Sequence, residues 1–340
     1  MDALEIAPTQ PVSQTAPYPS LTREERDLSR IDLADRAAEN ALLATGATTP
    51  ADWFEQNSDA LMARVAERGW TLVRGLPVAG ATQFRAAVAR LGRPLIEDYG
   101  DLPMRPTDDG TAGVFNVTRY PAKKAILFHN EGSHTPCAPR FIFFHCAVPA
   151  AADGHTPLAD SRAVLHALPV EIRAAFATHG LLYRRNFLPG LDVSWQEYFH
   201  TQNRVQVDEI CAANGTLTRW HADGNLETET RRPAVTAHPN IGGDVFFNQI
   251  LLHHPSCLDP EVRQAITNMP LQGRFPRDVR LGDGRAIPDE WVAEVQRAHL
   301  RNALCFRWQA GDIVMVDNRR VAHARRPYSG ARQHHVVLAD

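Results

Sequence analysis

The stretch "GDIVMVDNRRVAHARRPYSGAR", residues 311–332, carries the argument about fold. A Gly-Asp turn opens it, an apolar strand follows, and Asp317-Asn318 reads as a second turn of Asx type. His323 comes next, before a Pro-Tyr-Ser-Gly turn and Arg332. Short β-forming runs with turn signals between them point to a sandwich or a barrel.

The rest of the chain from about residue 111 has the same texture. "AGVFNVTRYP", "KKAILF", "RFIFFHCAVP", "AVTAHP", "GDVFFNQILLHHP", "ALCFRWQ" and "QHHVVLAD" are β-rich runs cut by Gly, Pro, Asn and Asp. Two helical patterns interrupt them, "SRAVLHALPVEIRAAFATHG" and "IPDEWVAEVQRAHLRN". The first third reads differently. "LTREERDLSRIDLADRAAENALLATG" predicts one or two helices stopped at Gly46, and "ADWFEQNSDALMARVAERGW" another ending at Gly69. "TLVRGLPV" predicts a strand, and "ATQFRAAVARLG" a helix closed by Gly92. The expected fold class is mainly β with flanking helices: an antiparallel jelly roll with helices packed outside. Residues 1–20 read as a mobile arm, and residues 21–340 as one domain with helical inserts.

"FHNEGSH", residues 128–134, follows the apolar "AILF" with groups that resist burial. Alternate residues of an extended segment face the same way, so His129 and Glu131 can address one point while Asn130 turns aside. Alone, the pair reads as a solvated strand end. With His323 far along the chain, it makes two histidines and a carboxylate, which suit a barrel whose remote strands meet at its mouth. Such a set leaves positions open on a metal and is the facial triad of non-haem Fe(II) oxygenases. The pairs His253-His254 and His334-His335 look metal-like too. Neighbours on a strand face opposite ways, so each pair offers at most one ligand and neither enters the candidate site.

Composition narrows the partners. The hydrophobic fraction of 44% and charged fraction of 22% are ordinary for a soluble globular protein. A formal charge of −3 gives no reason to expect nucleic acid or an anionic membrane. No apolar run approaches the roughly 20 residues that span a bilayer. The five cysteines are scattered without a C-x-x-C pair, so neither a disulfide framework nor a cysteine zinc site follows. A cytoplasmic location is the expectation.

Four motifs in order carry a resemblance. "YPAKKAILFHNEGSH", "ADGHTPLADSR", "HPNIGGDVFFNQ" and "DNRRVAHARRPYSGAR" resemble those of the taurine dioxygenase superfamily of Fe(II)- and 2-oxoglutarate-dependent oxygenases. Within it, the chain is most similar to syringomycin-type aspartyl hydroxylases and their relatives in natural-product pathways, from about residue 60 onward. The resemblance implies a double-stranded β-helix of cupin type. It implies Fe(II) on His129, Glu131 and His323, with 2-oxoglutarate and O2 as cosubstrates. Arg332 matches the arginine that pairs with the distal carboxylate of 2-oxoglutarate, and Thr156 the threonine that helps hold it. The implied activity is hydroxylation of an unactivated C–H bond in an amino acid or amino-acid-derived group, free or on a carrier protein. Desaturation, cyclisation and oxidative cleavage are the alternatives with the same cofactors, and a non-redox cupin-like binding protein the alternative from another class. The chain departs from the family pattern at His134, Ala324, Arg119 and Arg326, all at positions that bear on substrate. Arg119, Asn248 and Arg326 are the candidate substrate contacts. Trp220 and His221 fall in an insert that could cover the site.

Overall fold

The structure is a computed structural model and describes residues 21–31, 41–44, 46, 49–97, 105–107, 110–117, 120–271 and 273–340. The arm at 1–20 and Arg119 lie outside the described residues.

Two sheets built from residues distant in sequence lie face to face. The larger has seven strands in the order Ala41–Leu43, Trp70–Arg74, Ile313–Asp317, Phe141–Val148, Gln333–Ala339, Phe115–Asn116 and Arg105–Pro106. The smaller runs Ala303–Leu304, Leu158–Asp160, Val321–Arg325, Ile126–His129. Pairing is antiparallel throughout except between the first two strands of the larger sheet. This is the expected jelly roll, left open rather than closed into a barrel.

Side-chain alternation sorts the residues. Ile142, Phe144 and Cys146 of one strand, with Val336 and Leu338 of its neighbour, pack inward against Leu158 and Val321 of the smaller sheet. Phe141, Phe143, Val337 and Ala339 point outward beneath Phe54, Leu61, Val65, Phe84 and Val88. Those last five sit on three helices, Pro50–Gln56, Ser58–Arg68 and Ala81–Ala89, that cover the outer face. Each such side chain removed from water contributes about 1.5–3 kcal/mol before ordering costs. The Ser58–Arg68 helix stops because Gly69 adopts φ 82°, and a Cβ there would lie 2.6 Å from Val321 Cγ2. Glycine therefore lets the helix end lie directly against the strand that carries His323.

The far side of the smaller sheet is closed by the helices Ser161–Ala167, Val170–His179 and Asp289–Arg301, whose Val164, Leu165, Ile172, Val292 and Val295 share a core with Ala159, Ala322 and Ala324. Leu168-Pro169 breaks the first helical pattern into two helices.

Three expectations need correction. Residues 41–43, read as helical, form a strand paired with Trp70–Arg74, and the only described helix before them is Arg23–Arg26. "GDVFFNQILLHHP" is a strand only over Asp244–Phe246, and Ile250–His253 is helical. A further sheet of Thr216–Trp220, Leu226–Arg232, Leu181–Asn186 and Arg277–Leu281 was not anticipated. Its strands carry cross-strand charge: Arg184 opposes Glu229 in register and pairs with it through Nε at 2.9 Å. Opposite charges facing across a ladder stabilise it, yet they hide the apolar alternation that identifies a strand in sequence.

Candidate metal and cosubstrate site

His129 ends one strand of the smaller sheet, and His323 lies directly opposite it on the next. The register puts their rings 4.2 Å apart. The chain then turns, and Glu131 brings its Oε2 to 3.8 Å from His129 Nε2. One ligand atom from each of the three residues lies within 4.8 Å of the others, and all three are buried. His129 Nδ1 donates to the Leu127 carbonyl at 2.8 Å, which fixes the tautomer and leaves Nε2 with a free lone pair. His323 Nδ1 is buried with no hydrogen-bond partner. Burial lowers both imidazoles below the usual histidine range, that of His323 far below, and His129 adds to the effect on His323. Neutral imidazoles beside a carboxylate are the donor set a divalent cation needs.

The turn that aims Glu131 is held by amides. Asn318 Oδ1 accepts the Glu131 N–H at 2.7 Å, while its Nδ2 donates to the carbonyls of Glu131 and Pro139, both at 2.8 Å. Asn130 Nδ2 donates to the Asn318 carbonyl at 2.7 Å, and Gln249 Nε2 donates to the Asn130 carbonyl at 3.2 Å. The expected Asx turn exists at Asp317, whose Oδ1 accepts from the Arg319 N–H. Asn318 does more than the sequence suggested, and its "DN" gives no sign of a partner so far away. Arg325 was also missed. It donates to the carbonyls of Tyr120, Pro121 and Lys124, and so ties the loop entering the His129 strand to the His323 strand.

Arg332 is half-buried, and no ion pair to a carboxylate forms at it among the described residues. Its Nε donates to the Gly154 carbonyl at 3.1 Å. Burial and the nearby Arg325 push its guanidinium down to about 10. A guanidinium withdrawn from water without a counterion is costly, and an anion bound there would offset that cost. Gly154 has φ 71°, and a Cβ on it would meet Tyr328 Cβ at 2.9 Å and Arg332 Cδ at 3.2 Å. Two residues on, Thr156 Oγ1 accepts the Trp308 indole N–H at 3.0 Å, which leaves its own hydroxyl proton to donate. The segment is fastened beside the His323 strand, since the N–H of Ala324 donates to the Pro157 carbonyl and that of Arg326 to the His155 carbonyl.

The substrate-side candidates fare differently. Arg326 pairs with Asp153 at 3.1 Å and lines a recess of about 590 Å³ with His155, Arg307 and Trp308. Asn248 exchanges backbone and side-chain bonds with Asn130 and caps the Ile250 N–H, while its Nδ2 is buried without a partner. Trp220 packs with Trp195, Phe187 and Leu226 and donates to Asp208. His134, where the family pattern has tyrosine, packs its ring against His253 and Tyr183.

Known proteins resemble the chain in both sequence and fold. Residues 39–339 match the family described as "Taurine catabolism dioxygenase TauD, TfdA family". The dapdiamide synthesis protein DdaC of Enterobacter agglomerans is 35% identical over 276 residues, 81% of this chain and 83% of that protein. Among solved structures, PvcB of Pseudomonas aeruginosa shares the fold at TM-score 0.50 and 14% identity, covering 88% of this chain and 85% of its own. AAD-2, solved in complex with Mn(II) and N-oxalylglycine, has TM-score 0.50 and 14% identity over 91% of this chain and 96% of its own. No helix of the described residues is long and apolar enough to cross a membrane. The chain belongs to the TauD/TfdA family and is an Fe(II)- and 2-oxoglutarate-dependent dioxygenase.

Proposed function

We propose that His129, Glu131 and His323 hold the iron, that Arg332 and Thr156 anchor the distal carboxylate of 2-oxoglutarate, and that the enzyme hydroxylates an unactivated C–H bond of an amino acid or amino-acid-derived substrate, free or carrier-bound, in natural-product biosynthesis. The observation that carries this reading is the pairing of His323 opposite His129, with Glu131 beside them and no other cation-binding cluster of this kind among the described residues. Iron and 2-oxoglutarate together activate dioxygen for C–H oxidation, with succinate and carbon dioxide as coproducts. The chain's own residues supply the rest. The amides of Asn130, Asn318 and Gln249 hold the Glu131 turn, and Arg325 holds the loop before His129. The apolar lining of Phe144, Val336 and Leu158 excludes water.

The substrate class rests on likeness to DdaC, whose name ties it to dapdiamide synthesis. Of the three substrate-side candidates, Asn248 has the spare buried donor, whereas Arg326 already has Asp153 as partner. The Glu131 carboxylate occupies the position where related halogenases carry a small residue, so chloride has no room on the metal. No chlorinated product is expected. The test is to screen free and carrier-bound amino acids for succinate release coupled to an oxidised product. Succinate release stimulated by none of them, while a substrate without an amino-acid moiety stimulates it, would overturn the substrate class.

A further inference from the structure

We propose that His334 is a third donor to the distal carboxylate of 2-oxoglutarate, completing with Arg332 and Thr156 a pocket that saturates both carboxylate oxygens. The inference rests on the reading of Arg332 as the cosubstrate anchor. Three observations lead to it.

The first is hydrogen bonding. His334 is 3% exposed, and neither of its ring nitrogens has a partner. Each of the other buried histidines has at least one, apart from the proposed ligand His323: Leu127 for His129, His335 for His145, Asp153 for His155, Asp317 for His238, Gln249 for His253, Ser256 for His254 and Val295 for His299. A buried imidazole with both nitrogens unpaired marks a place where a partner is expected.

Direction is the second. His334 pairs with Cys146 in register, and Cys146 belongs to the inward-facing set between the two sheets. Its neighbour His335 pairs with His145 on the outer face, where the ring of Phe84 covers His145. His334 therefore points into the space that the iron ligand His323 also enters, since Phe144, two residues from Cys146, contacts the His323 ring at 5.2 Å.

The third is company. The His334 ring meets Trp308 edge-on at 4.8 Å, and the same indole donates to Thr156. Arg332, two residues back across an irregularity in the strand pairing, is close enough to bear electrostatically on the imidazole. A carboxylate offers about four lone-pair sites. The guanidinium fork takes two of them, the threonine hydroxyl one and a neutral imidazole N–H one. Burial and Arg332 keep His334 neutral in the free protein, which leaves one N–H to donate.

The experiment is anaerobic titration of the Fe(II) enzyme with 2-oxoglutarate, followed by its weak visible charge-transfer band. A wild-type band that forms no more tightly with 2-oxoglutarate than with 2-oxopentanoate would overturn the anchor reading itself, separately from this inference. With 2-oxoglutarate the tighter ligand in wild type, His334→Leu is expected to raise the 2-oxoglutarate Kd about tenfold, the usual worth of one hydrogen bond, with Fe(II) affinity in the absence of keto acid unchanged. His334→Gln, which keeps a donor, is expected to recover part of the loss. The decisive comparison is 2-oxopentanoate, which lacks the distal carboxylate. Its Kd should be the same in wild type and His334→Leu. Unchanged 2-oxoglutarate binding in His334→Leu, or an equal loss for both keto acids, would overturn the proposal. Should His334→Leu not fold, the same comparison is made with His334→Gln and His334→Asn.

Discussion

His129 and His323 are neutral because burial disfavours their charged forms, and they are oriented because the strand register puts them opposite one another. Apart from Glu131, no other residue joins them in a cation-binding cluster among the described residues, so His129→Ala, Glu131→Ala and His323→Ala should each bring 2-oxoglutarate turnover to background and lower iron content after reconstitution. A folded His323→Ala protein that retains both would remove that residue from the metal. Arg332 makes a different prediction, because in the proposed site it would meet the cosubstrate rather than the metal. Losing a charge-assisted pair at a desolvated site costs about 2–5 kcal/mol, so Arg332→Ala should raise the KM for 2-oxoglutarate by at least roughly 30-fold with iron content preserved. A collapse of affinity for the organic substrate with 2-oxoglutarate KM unchanged would move the anchor role to Arg325. The His129, Glu131 and His323 set could be named from the sequence because donor type and order along the chain are written there, whereas Arg332 was named only through the family resemblance. The role of His334 was not legible. Its significance comes from two nitrogens left without partners, and an absence of partners has no sequence signature.

At the scale of elements, the Asp317-Asn318 turn joins the Ile313–Asp317 strand of the larger sheet to the His323 strand, and through Asn318 it also fixes the His129–Glu131 turn. Asn318→Ala would leave the Glu131 N–H and the carbonyls of Glu131 and Pro139 buried and unpaired. Each such loss costs about 1–3 kcal/mol, and groups that orient a metal ligand are typically worth about 10–100-fold in metal affinity. Asn318→Ala should therefore lower both Tm and iron affinity, and Asn318→Asp should rescue neither, since a carboxylate cannot donate to the two carbonyls. An unaltered iron affinity in Asn318→Ala would show that the Glu131 turn holds without it. Short apolar runs made three strands of the larger sheet readable: Ile313–Asp317 carries IVMV, Phe141–Val148 opens with FIFF, and Gln333–Ala339 ends with VVLA. The charged sheet around Leu181–Asn186 was invisible for the opposite reason, its Arg and Glu residues being satisfied across the ladder rather than by water. Ala41–Leu43 misled because Ala and Leu favour helices, and only pairing with Trp70–Arg74 makes them a strand.

Over the whole molecule, the protein keeps several histidines neutral in its interior, and that sets how its stability responds to acid. Burial pushes His145 and His299 down to about 4, with the neighbouring His335 adding to the effect on His145. His299 sits on the Asp289–Arg301 helix, donates to the Val295 carbonyl at 2.8 Å and stacks on Phe128. In the unfolded chain the same imidazoles titrate near 6.5. Between these values the unfolded state binds a proton that the folded state refuses, so the stability is fully present above about pH 6.5 and falls as pH drops toward 4. At pH 5 each such histidine lowers the unfolding free energy by about 2 kcal/mol relative to pH 7.5. Urea unfolding from pH 7.5 to 5 checks this for wild type and for His299→Leu, which keeps the apolar contact with Phe128 and removes one titrating group. The variant's free energy should fall less steeply with acid, the two curves diverging by about 1.4 kcal/mol per pH unit below pH 6. Parallel curves across that range would mean that His299 takes up its proton in the folded protein as readily as in the unfolded chain.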